Sequence, residues 1–171
     1  MNILILNGSP RANGNTVAMI DAFANGAKAN GHQIKVFNVC QKKISGCLGC
    51  EYCHTKGNGK CIQQDDMQEL YSLLTEAEML VIASPIYYFG LTGQLQCAIH
   101  RTYAVGIPSR LKKAALILSS GSDDVYEGAI YEYKQIVEYM KLEDLGICTA
   151  HGCENKSEKK LAELRAWGQK I

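Results

Sequence analysis

The chain opens on a buried strand that breaks straight into a donor-rich turn, and few folds accommodate that junction. Ile3-Leu4-Ile5-Leu6 is an unbroken apolar run, which suits a strand covered on both faces, as in a parallel sheet. The residues from Asn7 to Gly14 are small, polar and cationic, and a helix pattern begins near Asn15. A turn of this composition aims backbone N–H groups and hydroxyls at one point. The helix N-terminus adds partial positive charge there, which makes the point ready for a phosphate. Arg11 supplies a full charge and a planar fork for phosphate oxygens.

Spacing separates the phosphate loops that start this way. A G-x-x-x-x-G-K-[ST] loop does not fit, because five residues separate Gly8 from Gly14 and Asn15 stands in place of the lysine. The dinucleotide fingerprint G-x-G-x-x-G does not fit either. Gly8 is followed by Ser9-Pro10, and the second strand ends in Asn38-Val39-Cys40 with no acid. Two readings remain: a monophosphate pocket rich in hydroxyl and amide groups, or an ordinary strand-to-helix turn with a polar cap.

Strands and helices alternate along the rest of the chain. A helix over about residues 14–30 carries Val17, Ile20, Phe23, Ala24 and Ala27 on one face and closes at Gly31. Ile34, Val36 and Val39 mark a partly alternating strand suited to a sheet edge. Residues 40–64 are irregular and far longer than a usual connection, which points to a functional loop. Asp66 with Glu69 predicts the capped start of a helix running to about residue 76. Met79–Ala83 is a second buried strand, and a helix over about 91–103 follows. Strand Ala114–Leu118, helix Tyr126–Met140, a strand near Leu145–Ala150 and a charged helix from Lys156 complete the chain. Such units imply right-handed crossovers, a five-stranded parallel sheet in the order 2-1-3-4-5, and helices on both faces. The ligand is then expected at the carboxyl ends of strands one, three and four, where loops starting at Asn7, Ser84 and Ser119 converge.

Composition narrows the partners. At 171 residues the chain is expected to be one domain over residues 1–171. A net charge of +1 offers neither a nucleic-acid footprint nor a strongly acidic docking face. No apolar run is long enough for a membrane span, and no basic leader precedes the first strand. A cytoplasmic protein with its eight cysteines reduced is the expectation.

Two further segments carry chemistry. In Ser84-Pro85-Ile86-Tyr87-Tyr88-Phe89-Gly90 a proline fixes the exit from a buried strand and three aromatics follow. This forms either a wall for a flat ring or a cluster packed beneath the sheet. Ser119 to Ser122, with Ser120 and Gly121 at the centre, would bind a ring's polar edge or cap the next helix. Cys47, Cys50, Cys53 and Cys61 form C-x2-C-x2-C-x7-C inside the long loop. Four such thiolates match a 4Fe–4S cluster or a zinc site, and free thiols are the third reading. Cys40, Cys97, Cys148 and Cys153 have no ligand spacing.

The segment Gly8-Ser9-Pro10-Arg11-Ala12-Asn13-Gly14-Asn15-Thr16 resembles the phosphate loop of the NAD(P)H-dependent FMN reductases of the flavodoxin-like superfamily. The similarity continues through Asp65-Asp66-Met67 and Ser84 to Gly90, covering most of residues 1–101. The cysteine segment is similar to the compact cluster motif of the iron–sulfur flavoproteins, a branch of that family. The resemblance implies a flavodoxin-like three-layer sandwich and an FMN cofactor. Ser9, Arg11, Asn13, Asn15 and Thr16 would hold the ribityl phosphate; Pro85, Ile86, Tyr87, Tyr88, Phe89 and Gly90 would line the ring. It implies an oxidoreductase that takes hydride from NAD(P)H and passes electrons to a small acceptor such as a quinone or a flavin. No catalytic side chain is required, because the flavin carries the chemistry. A homodimer is expected by the same analogy. The chain departs from the family pattern in the helix after Gly90, where Gln96 and His100-Arg101 replace a lysine and an Asp-Arg pair, so Arg101 has lost its neighbouring acid. The alternatives are an electron carrier without turnover, resembling flavodoxin or an iron–sulfur flavoprotein, and a redox-sensing or metal-binding protein working through residues 47–61.

Overall fold

The computed structural model describes residues 1–171. Strands β1 (Asn2–Asn7), β2 (Gln33–Asn38), β3 (Met79–Pro85), β4 (Lys113–Ser120) and β5 (Glu143–His151) form one sheet in the order β2-β1-β3-β4-β5. Every pairing is parallel, as expected from the alternation of elements. The connecting helices are α1 (Asn15–Ala29), the single turn α2 (Tyr52–Thr55), α3 (Met67–Glu76), α4 (Gly93–Arg101), α5 (Glu127–Met140) and α6 (Glu158–Lys170).

The apolar runs are unbroken because both sheet faces are covered. Ile3, Ile5, Val81 and Ile117 point to one side, against Met19, Ile20 and Phe23 of α1 and Leu164 of α6. Leu4, Leu6, Leu80, Ile82, Leu116 and Leu118 point to the other, against side chains of α3, α4 and α5. Edge strand β2 pairs with β1 alone, and of its six residues only Phe37 is buried.

Helix ends follow local chemistry, with one correction. Gly31 sits at φ 80 and donates to the Lys28 carbonyl at 2.9 Å, while His32 N–H reaches the Ala27 carbonyl at 3.1 Å. That closes α1 in the Schellman pattern. At α3 the expected cap from Asp66 is absent: its side chain makes no capping bond. Asp66 Oδ2 instead accepts the Lys43 N–H at 2.7 Å, and Glu69 pairs with Lys42. Asp65 Oδ1 takes the Met67 N–H at 3.1 Å. The long loop returns here, and its backbone claims the Asp66 carboxylate that α3 would otherwise use. No helix is long and apolar enough to cross a membrane.

Helices α1 and α6 touch backbone to backbone. A Cβ on Gly26 would lie 2.0 Å from the Arg165 carbonyl oxygen, and one on Gly168 would lie 2.2 Å from that of Phe23. Beside this crossing the Phe23 and Trp167 rings meet edge to face at 5.1 Å. Gly168→Ala is therefore expected to destabilise the protein by about 1–3 kcal/mol through overpacking, although alanine favours an isolated helix. A urea midpoint at or above the wild-type value would show that the helices part freely.

Candidate functional site

The turn after β1 is held open by its own polar groups. Gly8 N–H continues the sheet to the Ala83 carbonyl at 2.8 Å, and Asn7 Oδ1 accepts the Ser9 N–H at 2.9 Å. Asn7 is itself fixed by Nδ2 donating to Asn38 Oδ1 at 2.9 Å. The Gly8 carbonyl accepts Thr92 Oγ1–H at 2.9 Å and the Cys40 thiol at 3.2 Å. Burial pushes the Cys40 thiol pKa up, so it stays a neutral donor there. Gly14 caps α1 without a side chain, and the N–H groups of Asn15, Thr16 and Val17 have no acceptor within the chain. Those amides are free to donate to an anion.

Three loops build one cavity of about 280 Å³ around that helix end. From the first come Ser9, Arg11, Asn13, Gly14, Asn15 and Thr16; from the second, Pro85, Ile86 and Tyr87; from the third, Ser119, Ser120 and Gly121. The lining contains one cation and no carboxylate, the donor set that an oxyanion needs. Thr16 Oγ1 and Ser119 Oγ, both buried, share a hydrogen bond of 2.7 Å that ties the first loop to the third. Ser120 turns inward, to the Ser122 carbonyl and to Tyr126 Oη, and the Tyr126 hydroxyl donates to the Ala150 carbonyl at 2.8 Å. None of these serines caps α5, whose first turn has no side-chain cap. Asn155, fully buried beyond β5, braces the third loop through Nδ2 to the Ser120 carbonyl at 2.8 Å. Nothing in the sequence near Asn155 signalled that role.

Tyr88, Phe89 and Gly90 stand outside the cavity lining. They form a tight turn in which Tyr87 N–H donates to the Gly90 carbonyl at 3.0 Å and Gly90 N–H returns to Tyr87 at 3.2 Å. Both central residues are left-handed, Tyr88 at φ 50 and Phe89 at φ 67. That geometry normally selects asparagine and glycine. Two aromatics in it are strained, and Tyr88 is 97% exposed. Left-handed non-glycine residues of this kind cost about 1–3 kcal/mol each and cluster at ligand clamps and switch regions.

The cysteines gather elsewhere. Cys47, Cys50, Cys53 and Cys61 line one small cavity of about 20 Å³ together with Arg101 and Tyr103. All eight cysteines are free thiols. No three His, Cys, Asp or Glu side chains stand close enough to hold one metal ion. Arg101 corrects the expectation that it had lost its acid. Its guanidinium is buried and grips Asp65 through Nη1 to Oδ2 at 2.9 Å and Nη2 to Oδ1 at 3.1 Å. The acid lies 36 residues away in sequence, so no local pattern could show it. Burial raises the Asp65 pKa, but Arg101 and the amides of Ser45 and Met67 outweigh it and hold the carboxyl below its ordinary value.

The match to known proteins follows this geometry. The sequence pattern of the NADPH-dependent FMN reductases fits residues 1–151. The chain belongs to that family. An iron–sulfur flavoprotein of Archaeoglobus fulgidus is 35% identical over 133 residues, covering 78% of this chain and 57% of its own length. The chain spans about half the length of the iron–sulfur flavoproteins it matches. An FMN-dependent NADH-azoreductase of Bacillus anthracis, solved with FMN, shares the fold at a TM-score of 0.74 and 16% identity, over 99% of both chains. A flavodoxin from the domain Archaea does so at 0.63 and 17% identity, over 100% of this chain and 96% of its own. The flavodoxin-like architecture of the family is thus present here.

Two outcomes follow from the geometry. Phe89→Gly relieves a left-handed aromatic and is expected to raise stability by about 1 kcal/mol, read as a higher urea midpoint; a lower midpoint would mean the ring packs in solution. The depressed Asp65 pKa adds stability that is present in full above the ordinary value of 3.8 and lost as pH falls through the lower folded value. Asp65→Asn should therefore cost stability at neutral pH and progressively less in acid. A difference from wild type that stays constant with pH would exclude the ion pair as its source.

Proposed function

We propose that the chain binds FMN in the three-loop cavity, takes hydride from NADH or NADPH and passes electrons to a small acceptor such as a quinone or a free flavin. The observation that carries this reading is the uncapped α1 N-terminus, with three free amides beside Arg11 in a cavity lined by hydroxyls and amides and no carboxylate. The donor set fits a ribityl phosphate. Bound FMN would supply the hydride acceptance and electron release, which no side chain here needs to perform.

The chain's own groups then bind and orient. Arg11 and the Asn15, Thr16 and Val17 amides neutralise the phosphate, while Ser9, Asn13 and Thr16 direct its remaining oxygens. Pro85, Ile86 and Tyr87 form one side of the ring's bed, and Ser119, Ser120 and Gly121 the other. The Gly121 N–H has no acceptor in the chain and is free to donate to the ring's polar edge. At about 280 Å³ the cavity lies at the lower end of small-molecule sites, so the ring extends toward the exposed Tyr88–Phe89 turn. A nicotinamide or a flat acceptor would stack there. A homodimer would cover this open side, and exposed Tyr131 and Tyr139 on α5 offer further apolar contact. Eight free thiols suit a reducing compartment, which supports the cytoplasm.

A second reading has its own observation: the four spaced cysteines line one cavity. The donor set fits a thiolate-bound metal centre, though the thiols do not meet as the loop stands. With such a centre the chain would serve as an electron carrier in the manner of an iron–sulfur flavoprotein. Anaerobic NADH or NADPH separates the two, because rapid bleaching of bound FMN marks a reductase and none with either nucleotide marks a carrier. Arg11→Ala is expected to weaken FMN binding by about 10–100-fold, the worth of one or two charge-assisted hydrogen bonds. Unchanged affinity, or pure protein that refuses added FMN, would overturn the site.

A further inference from the structure

A 3-10 turn, Gly152–Lys156, joins β5 to α6 and bonds two of the three loops that build the cavity. Asn155 is its anchor. Fully buried, it donates both Nδ2 hydrogens, one to the Ser120 carbonyl of the third loop and one to the Gly152 carbonyl of its own turn, each at 2.8 Å. Gly152 packs against the same loop, where a Cβ would lie 3.9 Å from the Gly121 carbonyl oxygen. On the far side of Lys156, Ser157 caps α6 by accepting the Lys160 N–H at 3.2 Å. The backbone of Lys156 is thus fixed between a buried anchor and a helix cap.

From there the side chain crosses to the first loop. Lys156 Nζ donates to the Asn13 carbonyl at 2.9 Å, joining residues 143 apart in sequence. Asn13 lines the cavity and Lys156 does not, so the ammonium sits just outside the lining. The Gly14 N–H of the same peptide donates to the Arg11 carbonyl at 3.0 Å. A trans peptide points its C=O opposite its N–H, so the two bonds fix this unit from both ends, directly before α1. An ammonium has three donors, and one bond to a neutral carbonyl leaves its charge uncompensated. Lys156 forms no ion pair, and neither does Arg11. Glu154, in the same turn, is taken by Lys160 at 3.3 Å and faces His151 at 3.6 Å. Two unpaired cations therefore flank the free α1 amides. A phosphate monoester carries about 1.5–2 negative charges at pH 7, and Arg11 alone matches only one.

We propose that Lys156 supplies the second positive charge for the flavin phosphate and so raises the site's preference for a phosphorylated flavin over riboflavin. It is seated on the Asn13 carbonyl and carried on a turn that Asn155 ties to the third loop. The proposal rests on the FMN reading above. The ring's bed is made by residues of the second and third loops, so removing this charge acts on the phosphate tail and leaves the ring's contacts in place.

The test titrates the full chain with FMN and with riboflavin, reading flavin fluorescence, at low ionic strength and at about 1 M salt, where the Debye length is about 3 Å. Wild type is expected to prefer FMN. Lys156 is exposed, so its substitution leaves the core intact. Lys156→Met should weaken FMN by about 3–10-fold at low salt, the size of one partly exposed interaction between a charge and an anion. Riboflavin affinity should stay within about twofold of wild type. The FMN deficit should shrink at high salt, and Lys156→Arg should recover most of it. Lys159→Met removes the same charge from an exposed lysine of α6 that bonds none of the three loops, and should behave as wild type. An unaltered preference for FMN in Lys156→Met would overturn the proposal and leave the FMN site standing. Equal losses of FMN and riboflavin, or a deficit indifferent to salt, would reduce Lys156 to a strut and overturn the charge role. A matching deficit in Lys159→Met would assign the effect to net charge, which overturns the proposal as well. Wild type that binds neither flavin, or both alike, would overturn the FMN reading itself.

Discussion

Burial of both faces of the parallel sheet governs where chemistry can occur in this protein. Between their ends β1, β3 and β4 present almost only apolar side chains to helices on either side, so no polar group can be placed at mid-sheet without a partner. Polar residues first appear at the carboxyl ends, as Asn7, Ser84 and Ser119, all buried and all hydrogen-bonded. The chain leaves β1 toward β2 on one side and later returns to β3 on the other. That reversal opens a crevice between the loops. The helix N-terminus at Asn15 aims its amides into the crevice, and Arg11 adds the only full charge of the lining. The polar cavity at the carboxyl ends is a consequence of the sheet's dryness as much as of the loop's composition.

Helix α4 connects the two candidate centres. Thr92, just before its first residue, bonds the Gly8 carbonyl of the phosphate turn, and Arg101, its last residue, clamps the neck of the cysteine loop. The ends of a nine-residue helix lie about 12 Å apart. One rigid rod therefore fixes both the turn after β1 and the neck of the cysteine loop. Inward-facing Leu95 and Ala98 are fully buried, which locks the rod's rotation and the direction of Arg101. The Arg101–Asp65 pair lies between elements and stitches the loop to the helix.

The Tyr87–Gly90 turn shows the opposite economy. Its two left-handed aromatics gain little from packing, with Tyr88 almost wholly exposed. The Phe89 carbonyl lies close against Gly128, where a Cβ would approach to 2.8 Å. A stable protein would place glycine in such a turn.

Much of this was legible in the order of residues. The apolar runs of β1, β3 and β4, the helix periodicities, Gly31 as a helix stop and the alternation of elements specify a doubly wound parallel sheet. They do so because period and burial are properties of consecutive residues. The donor-rich turn after β1 was legible for the same reason: Ser9 to Thr16 are contiguous, and six of them line one cavity through local backbone geometry. What the sequence could not show are pairings made across the fold. Asp65 meets Arg101, Thr16 meets Ser119, and Asn155 supports Ser120 only because the sheet brings distant strand ends together. The cysteine spacing advertised a ligand set, yet whether four thiols close on a metal depends on a loop whose neck is set by a buried cation from another element. Local order thus determined the sheet and the donor-rich turn after β1, since both arise from neighbours along the chain. Tertiary structure alone decided which charges meet, since a buried ion pair forms only between groups that folding has already placed face to face.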